Sequence, residues 1–251
     1  MQGDLGVSNL QVLMPMGGLG SRFANQGYTT PKPLISVDGK PMFMRALDSF
    51  KTVENVTYIF VIRKEHNDAY DLANKIYDQI SNARIAILDH NTDGAVATCM
   101  IAKDLIDNEL PITIADCDIY FESKQYFEVL KPTNLKNMPD GMLLTFEAHD
   151  PRYSYAELNA AGQVVRTAEK IVISSHAILG GYFFRSGELF KKLANTFLKE
   201  PLPPGLKEYY LSHLFNILLE QQGQIQIAHT DTMFIFGTPE ELNAYFLSHP
   251  Q

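Results

Sequence analysis

Leu10-Gln11-Val12-Leu13-Met14-Pro15-Met16-Gly17-Gly18-Leu19-Gly20-Ser21-Arg22-Phe23 is the stretch on which the reading of this chain turns. The short apolar run from Leu10 to Met14 reads as a strand that leads straight into the glycine-rich segment. Three glycines in the next few positions let the backbone fold tightly enough for several N–H groups to converge on one anion. Their missing side chains let a phosphate or a base approach closely. Two common phosphate loops do not match. No Gly-Lys-Ser/Thr closes a Walker loop, and Phe23 stands where the last glycine of a Gly-x-Gly-x-x-Gly fingerprint would fall.

Positive charge comes from beside the glycines. Arg22 follows them directly, and Lys32 lies in Pro31-Lys32-Pro33, where two prolines stiffen the backbone and reduce the entropy lost when its ammonium is held. An arginine grips two phosphate oxygens in a fork, whereas a lysine is a mobile point charge for oxygens that gain negative charge during transfer. Glycines, arginine and lysine together predict phosphate chemistry rather than a mere turn.

Around this stretch, apolar runs alternate with segments of helical spacing. Residues 57–62, 84–88 and 112–115 read as strands, and 41–50, 66–80 and 95–106 as helices. That rhythm predicts an α/β fold, a Rossmann-like and mostly parallel sheet covered by helices on both faces. The loops after Met14, Leu88 and Ala115 then lie at the carboxyl ends of strands, where such sheets bind ligands. Beyond residue 140 the pattern becomes mixed. Strands are expected at 141–148, 155–159, 164–168 and 179–185, and helices at 186–198 and 207–221. Pro201-Leu202-Pro203-Pro204-Gly205 separates those two helices.

Composition excludes several classes. The 251 residues are 45% hydrophobic and 20% charged, and a chain of that length buries roughly 70–75% of its unfolded surface, so disorder is ruled out. A net charge of −8, from 21 Lys and Arg against 29 Asp and Glu, opposes a surface built to neutralise nucleic acid. Cys99 and Cys117 make neither a disulfide framework nor a zinc site and predict a reducing, cytoplasmic setting. Apolar runs stop short of the ~20 residues that span a bilayer. Asp4 and the lack of a basic stretch before an apolar segment predict no secretory signal.

Two further loops carry chemistry. Ala115-Asp116-Cys117-Asp118 sets two carboxylates just past a buried strand, and hard oxygens are what Mg²⁺ takes beside nucleotide phosphates. One of the pair is expected to hold the ion. Asp-x-Asp is also the metal motif of nucleotide-sugar-dependent glycosyltransferases, but that class receives an activated donor and leaves Arg22 and Lys32 unexplained. The second loop runs from Leu88 through His90, Asn91, Asp93, Gly94 and Ala95. Its small residues allow a flat base to lie against the backbone, with Asp93 as a helix cap and His90 as an ordinary loop residue.

Gly17-Gly18-Leu19-Gly20-Ser21-Arg22-Phe23, Gly27-Tyr28, Pro31-Lys32-Pro33-Leu34-Ile35 and Val37-Asp38-Gly39-Lys40-Pro41-Met42, in that order, resemble the signature of the nucleotidyltransferases that make nucleotide sugars. These include sugar-1-phosphate nucleotidylyltransferases and cytidylyltransferases acting on phosphorylated small molecules. The resemblance implies transfer of a nucleoside monophosphate from a triphosphate to a sugar 1-phosphate or similar acceptor. Pyrophosphate is released, Mg²⁺ is the cofactor, and the product serves nucleotide-sugar and polysaccharide biosynthesis. It implies one domain, with a nucleotide-binding half at about 8–140 and an acceptor-binding half at about 141–251. Neither nucleic acid nor membrane is a partner, and a homo-oligomer is compatible.

Residue by residue, the resemblance makes Arg22, Lys32 and Lys170 catalytic. Asp118 becomes the metal ligand, because Ile119-Tyr120-Phe121 follows it as an apolar run follows the family's aspartate. Met16, Gly17, Gly18, Gly20, Asn91, Gly94, Ala95 and Asp116 fall on the nucleotide. Val164 to Lys170 resembles the family's Glu-Lys motif, and Gly180-Gly181-Tyr182-Phe183-Phe184 its Gly-Ile-Tyr-x-Phe strand. Glu169, Lys170 and Gly181 are therefore acceptor residues, with Tyr155 and Glu157 on the preceding strand beside them. Strand alternation puts Glu169 and Lys170 on opposite faces unless the strand ends there. Gly237-Thr238-Pro239-Glu240-Glu241-Leu242 matches a helix start with Thr238 as cap. Many members carry a second metal-binding aspartate two residues before that glycine; this chain has Ile235, and Asp231 is the candidate substitute. Ile235 favours a catalytically silent regulatory homologue, whereas the intact Arg22, Lys32, Asp118 and Lys170 oppose it.

Overall fold

The computed structural model describes residues 10–131 and 137–249; Asp4 lies outside them. Its strands, in chain order, are β1 (Leu10–Met16), β2 (Ser36–Val37), β3 (Lys40–Pro41), β4 (Val56–Arg63), β5 (Arg84–Leu88), β6 (Ile112–Ala115) and β7 (Ile119–Glu122). After them come β8 (Gly141–Glu147), β9 (Ser154–Leu158), β10 (Val164–Glu169), β11 (His176–Phe184), β12 (Ile225–His229) and β13 (Thr232–Ile235). Nine strands form one sheet in the order β10-β9-β11-β6-β1-β4-β5, with β8 branching from β11 and β12 pairing on β8. Its centre, β6-β1-β4-β5, is parallel as the alternation predicted, and β11 joins it antiparallel to β6.

Period-two alternation builds a core on each face. From β1 and β4, Val12, Met14, Phe60 and Ile62 pack on one side, while Leu13, Ile59 and Val61 pack on the other. Helix Met42–Leu47 covers the first core with Phe43, Ala46 and Leu47, and helix Leu72–Tyr77 adds Leu72 and Ile76. Helices Gly187–Lys199 and Leu211–Glu220 cover the second with Phe190, Leu193, Phe197, Leu214 and Phe215. Gln11, fully buried in β1, is satisfied by the chain entering β6: its amide donates to Asp107 O and Leu110 O and accepts from Asp107 N. Among the described residues no helix is long and apolar enough to cross a membrane.

The structure corrects several expected elements. The helix foreseen at 66–80 is two, Lys64–Tyr70 and Leu72–Tyr77, broken where Asp71 adopts φ 53°. Asp tolerates that conformation, and the Asn67 side chain accepts from Ala73 N across the break. The segment 95–106 is helical only over Ala95–Met100, followed by a short 3₁₀ turn at Lys103–Leu105. Residues 207–210 are not helical, because Tyr209 instead donates to Asp93 O and accepts from Val96 N. Sequence periodicity missed β2, β3, β7, β12 and β13, which are held by pairing with distant or adjacent strands rather than marked by a local pattern.

The feature that opens the site is a handover along β11. One edge of β11 pairs with β8 at His176–Ile178 and again at Tyr182–Phe184. Its other edge pairs with β9 at Ala177–Ile178 and with β6 from Gly181 to Phe184. Between those stretches the register against β8 shifts, a bulge centred on Gly180. β6 ends at that point, so the loop carrying Asp116 emerges into the gap between β6 and β9.

Candidate active site

Two clefts meet above the carboxyl ends of β1 and β6. The first, about 350 Å³, is lined by Met16, Gly18, Gly20, Arg22, Lys32, Asp116 and Asp118 among others. The second, about 500 Å³, is lined by Gly17, Gly18, Asn91, Gly94, Ala95 and Glu208 among others. Pro15, Gly18, Ser21 and Asp116 line both, so the two are one continuous groove. The loops after β1, β5 and β6 thus converge as the parallel sheet requires.

Lys32 stands on a 3₁₀ turn directly after Pro31, and its ammonium is ion-paired with Asp118 Oδ2. Both side chains are largely buried. Burial works against the charge on Lys32, yet Asp118 beside it, together with Cys117 and Asp116, outweighs that cost and holds its pKa above the usual value. Asp116 lies deeper. Its carboxylate makes no hydrogen bond or ion pair among the described residues, and its pKa is pushed up to about 7, first by burial and then by Asp118 and Glu169, with Lys32 opposing. Arg22 lines the same cleft, is exposed, and makes no ion pair among the described residues.

Gly180 is what lets Asp116 sit there. A Cβ at residue 180 would overlap the Asp116 side chain, its own Cβ at 2.7 Å, while Asp116 N donates to Gly180 O at 3.0 Å and keeps the backbones together. The family motif puts the acceptor glycine at Gly181. Gly181 faces Leu144 on the far side of the sheet, so the cleft glycine is its neighbour. Gly94 plays a comparable part in the second cleft. Its φ of 119° and the Tyr209 backbone packed against it exclude a side chain, and Gly94 itself, not Asp93, is the residue that precedes the helix, without a side-chain cap.

Glu169 and Lys170 escape strand alternation because β10 ends at Glu169 and Lys170 turns into φ 57°. Glu169 is held by the hydroxyls of Ser154 and Ser212. Lys170 donates to the Tyr210 hydroxyl at 2.9 Å, stands over that ring, and is half exposed; neither it nor Glu169 lines the two clefts. Burial and the nearby carboxylates of Asp116 and Glu169 hold the Tyr182 phenol well above its ordinary pKa.

Three expected residues lie elsewhere. Tyr155 is fully buried in the core with its hydroxyl donating to Asp150 O; the residue of β9 that meets Glu169 is Ser154, one position earlier and on the other face. Glu157 pairs with Arg166 at 2.9 Å on the solvated side. Asp231 lines a separate cavity with Asp48 and Phe127, where its carboxylate accepts from Lys124 N at the start of helix Lys124–Val129, so it is no partner for Asp118. Position 237 brings another carboxylate closer: a Cβ there would lie 3.0 Å from Glu241 Oε2 and 3.3 Å from Asp118 Oδ2. Glu241 is ion-paired with Arg152 at 2.8 Å.

Sequence reasoning also missed Arg63, Glu208 and Gly180. Arg63 was legible as a charge ending an apolar strand at its carboxyl end. Glu208 was not, since only the docking of Tyr209 on Asp93 and Val96 brings it to the groove.

Residues 11–222 match the family model described as nucleotidyl transferase. The chain belongs to the nucleotidyl transferase family. It is an enzyme of the nucleotidyltransferase class. Among solved structures it resembles a nucleoside-diphosphate-sugar pyrophosphorylase from Vibrio cholerae, with 24% identity, TM-score 0.81, and 94% of this chain and 99% of that one covered. An inositol-1-phosphate CTP transferase from T. maritima is similar at 14% identity and TM-score 0.74, with 97% and 95% covered. A UDP-glucose pyrophosphorylase complexed with UDP-glucose is similar at 17% identity and TM-score 0.73, with 97% and 100% covered. At these identities the likeness establishes the fold. No curated protein matches the sequence.

The donor set suits a hard divalent ion. Asp118 is occupied by an ammonium, Asp116 is an unpartnered carboxylate in the same cleft, and both offer oxygen. Among the described residues no three His, Cys, Asp or Glu side chains converge as a metal cage. One or two carboxylates completed by substrate phosphates is how Mg²⁺ is usually held.

Proposed function

We propose that this nucleotidyltransferase moves a nucleoside monophosphate from a triphosphate to the phosphate of a small acceptor such as a sugar 1-phosphate, with release of pyrophosphate. The observation that carries the proposal is Lys32, held by Asp118 in the floor of the cleft beneath the glycine loop. A buried cation, a carboxylate pair and free backbone amides are what an in-line displacement on a triphosphate needs.

In this scheme an acceptor phosphate oxygen forms the new bond to the α-phosphorus, and the bond from that phosphorus to the β-phosphate oxygen breaks. A phosphate monoester has its second pKa at about 6, so it is already largely dianionic at neutral pH and no protein general base is required. Gly17, Gly18 and Gly20 and the Arg22 guanidinium hold the departing pyrophosphate. Lys32 leaves Asp118 for the α-phosphate oxygens, whose charge grows as the bonds exchange. Met16, Asn91, Gly94 and Ala95 line the space for the nucleoside, and Glu169 takes acceptor hydroxyls while Lys170 turns from Tyr210 to the acceptor phosphate. Asp118, with Asp116 beside it, would hold Mg²⁺, which supplies charge neutralisation at the phosphates. Cys99 and Cys117, both free thiols, support a reducing cytoplasmic setting.

The test is a matrix of the common triphosphates against phosphorylated sugars, polyols and amines, scored for pyrophosphate with and without Mg²⁺. Metal-dependent pyrophosphate from at least one pair, abolished by Asp118→Asn, is expected. Turnover of a nucleotide sugar without pyrophosphate would overturn the proposal in favour of glycosyl transfer.

A further inference from the structure

Arg63 closes β4 with only 9% of its side chain exposed. Its donors go to three separate segments: Nη1 to Gly17 O at 2.9 Å, Nη2 to Asn91 Oδ1 at 3.1 Å, and Nε to Glu65 Oε1 at 2.6 Å. Gly17 and Asn91 belong to the two loops that wall the larger cleft. One buried guanidinium therefore ties the glycine loop to the base loop, with hydrogen bonds that a charged donor strengthens.

The tie also has a direction. Arginine donates and never accepts, so the end of the Asn91 amide turned toward Arg63 is the oxygen. The amide nitrogen has no partner among the described residues, and Asn91 lines the cleft. An untethered asparagine offers a ligand either end by flipping; this one offers its N–H donors only.

We propose that Arg63 is a positioning residue for the nucleoside triphosphate: it sets the spacing of the glycine and base loops and fixes Asn91 as a donor. The cleft then selects a base or ribose edge that presents an acceptor, such as a carbonyl or ring nitrogen, at that point. The inference rests on the transferase reading above, and it places no atom of Arg63 on the substrate.

The experiment combines calorimetric binding of the preferred triphosphate with steady-state kinetics for the wild-type protein, R63Q, R63K, N91A, N91D and R63Q/N91A. Loss of a charge-assisted tether predicts a rise in triphosphate Kd and KM of about 10–100-fold for R63Q, with acceptor KM and kcat little changed. R63K reaches one loop and recovers part of the loss. The double variant loses less than the product of the single losses, since both remove the same link. N91A and N91D alter an exposed loop residue and so remain informative if R63Q does not fold. N91D, which turns an acceptor toward the ligand, binds more weakly than N91A. Unchanged triphosphate Kd in R63Q with only a lowered Tm would overturn the proposal, as would N91D binding at least as well as N91A. Failure of the wild-type protein to bind any triphosphate would instead sink the transferase reading and this inference with it.

Discussion

Gly180→Ala tests how the cleft is built. The added Cβ overlaps the Asp116 side chain, with the Asp116 Cβ itself at 2.7 Å, so rotating the carboxylate away cannot relieve the whole clash. Separating the strands would sacrifice the 3.0 Å bond from Asp116 N to Gly180 O and the pairing of β11 with β6 that continues from Gly181. Overpacking of this kind costs about 1–3 kcal/mol, and in a domain of this size each kcal/mol lowers Tm by roughly 2–4 °C. The expected result is a Tm lower by about 2–12 °C with a much larger loss of pyrophosphate release, because the side chain expelled lies between the two clefts. Thermal denaturation and a coupled pyrophosphate assay measure the two effects. Asp116→Ala in the same chain removes the carboxylate overlap but keeps the Cβ contact, so the double variant should regain part of the lost Tm and none of the activity. Wild-type Tm and wild-type turnover in Gly180→Ala would refute the close packing of Asp116 on residue 180 and the importance of that carboxylate together.

Lys32→Ala should lower turnover by roughly 10²–10³-fold through loss of a preorganised cation, measured as pyrophosphate release. It also removes the ammonium that competes with a divalent ion for Asp118, so Mg²⁺ without nucleotide should raise the Tm of the variant more than that of the wild-type protein; equal gains would contradict the competition. Asp116→Asn should show a pH-dependent stability difference in the absence of divalent ions. The wild-type carboxyl is pushed up to about 7 in the folded protein by burial, whereas an unfolded aspartate titrates near 4. Between those values the folded state keeps a proton that the unfolded chain has lost, so the Asp116 contribution falls as pH rises. The Tm advantage of the asparagine variant should therefore grow from pH 5 to pH 8, and a flat difference would refute the assignment.

Much of the parallel core was legible because β1, β4 and β6 are continuous apolar runs, as strands buried on both faces must be. The second half was read with shifted limits where alternation and turns are clear. The strands β7, β12 and β13 went unread because long-range partners fix them: β7 and β13 pair with each other, and β12 pairs with β8. The helix foreseen through Asp71 failed for a local reason, a residue that tolerates positive φ with an asparagine ready to bridge the break. Tyr155 and Gly181 were each displaced by one position. A single step along a strand exchanges core for cleft, so motif spacing alone does not choose between Ser154 and Tyr155 or between Gly180 and Gly181.

What the amino-acid order settled was the inventory of the groove: glycines after a strand, Arg22 and Lys32 beyond them, and two aspartates after β6. Those features are local, dictated by backbone freedom, proline stiffness and the period of two. What only the folded chain decided was pairing and direction: Lys32 on Asp118, Asp116 against Gly180, Glu241 rather than Asp231 near Asp118, Glu208 at the groove, and Arg63 across two loops. Each joins segments far apart in the chain. Such contacts depend on strand order and on a bulge in β11 that no local propensity encodes.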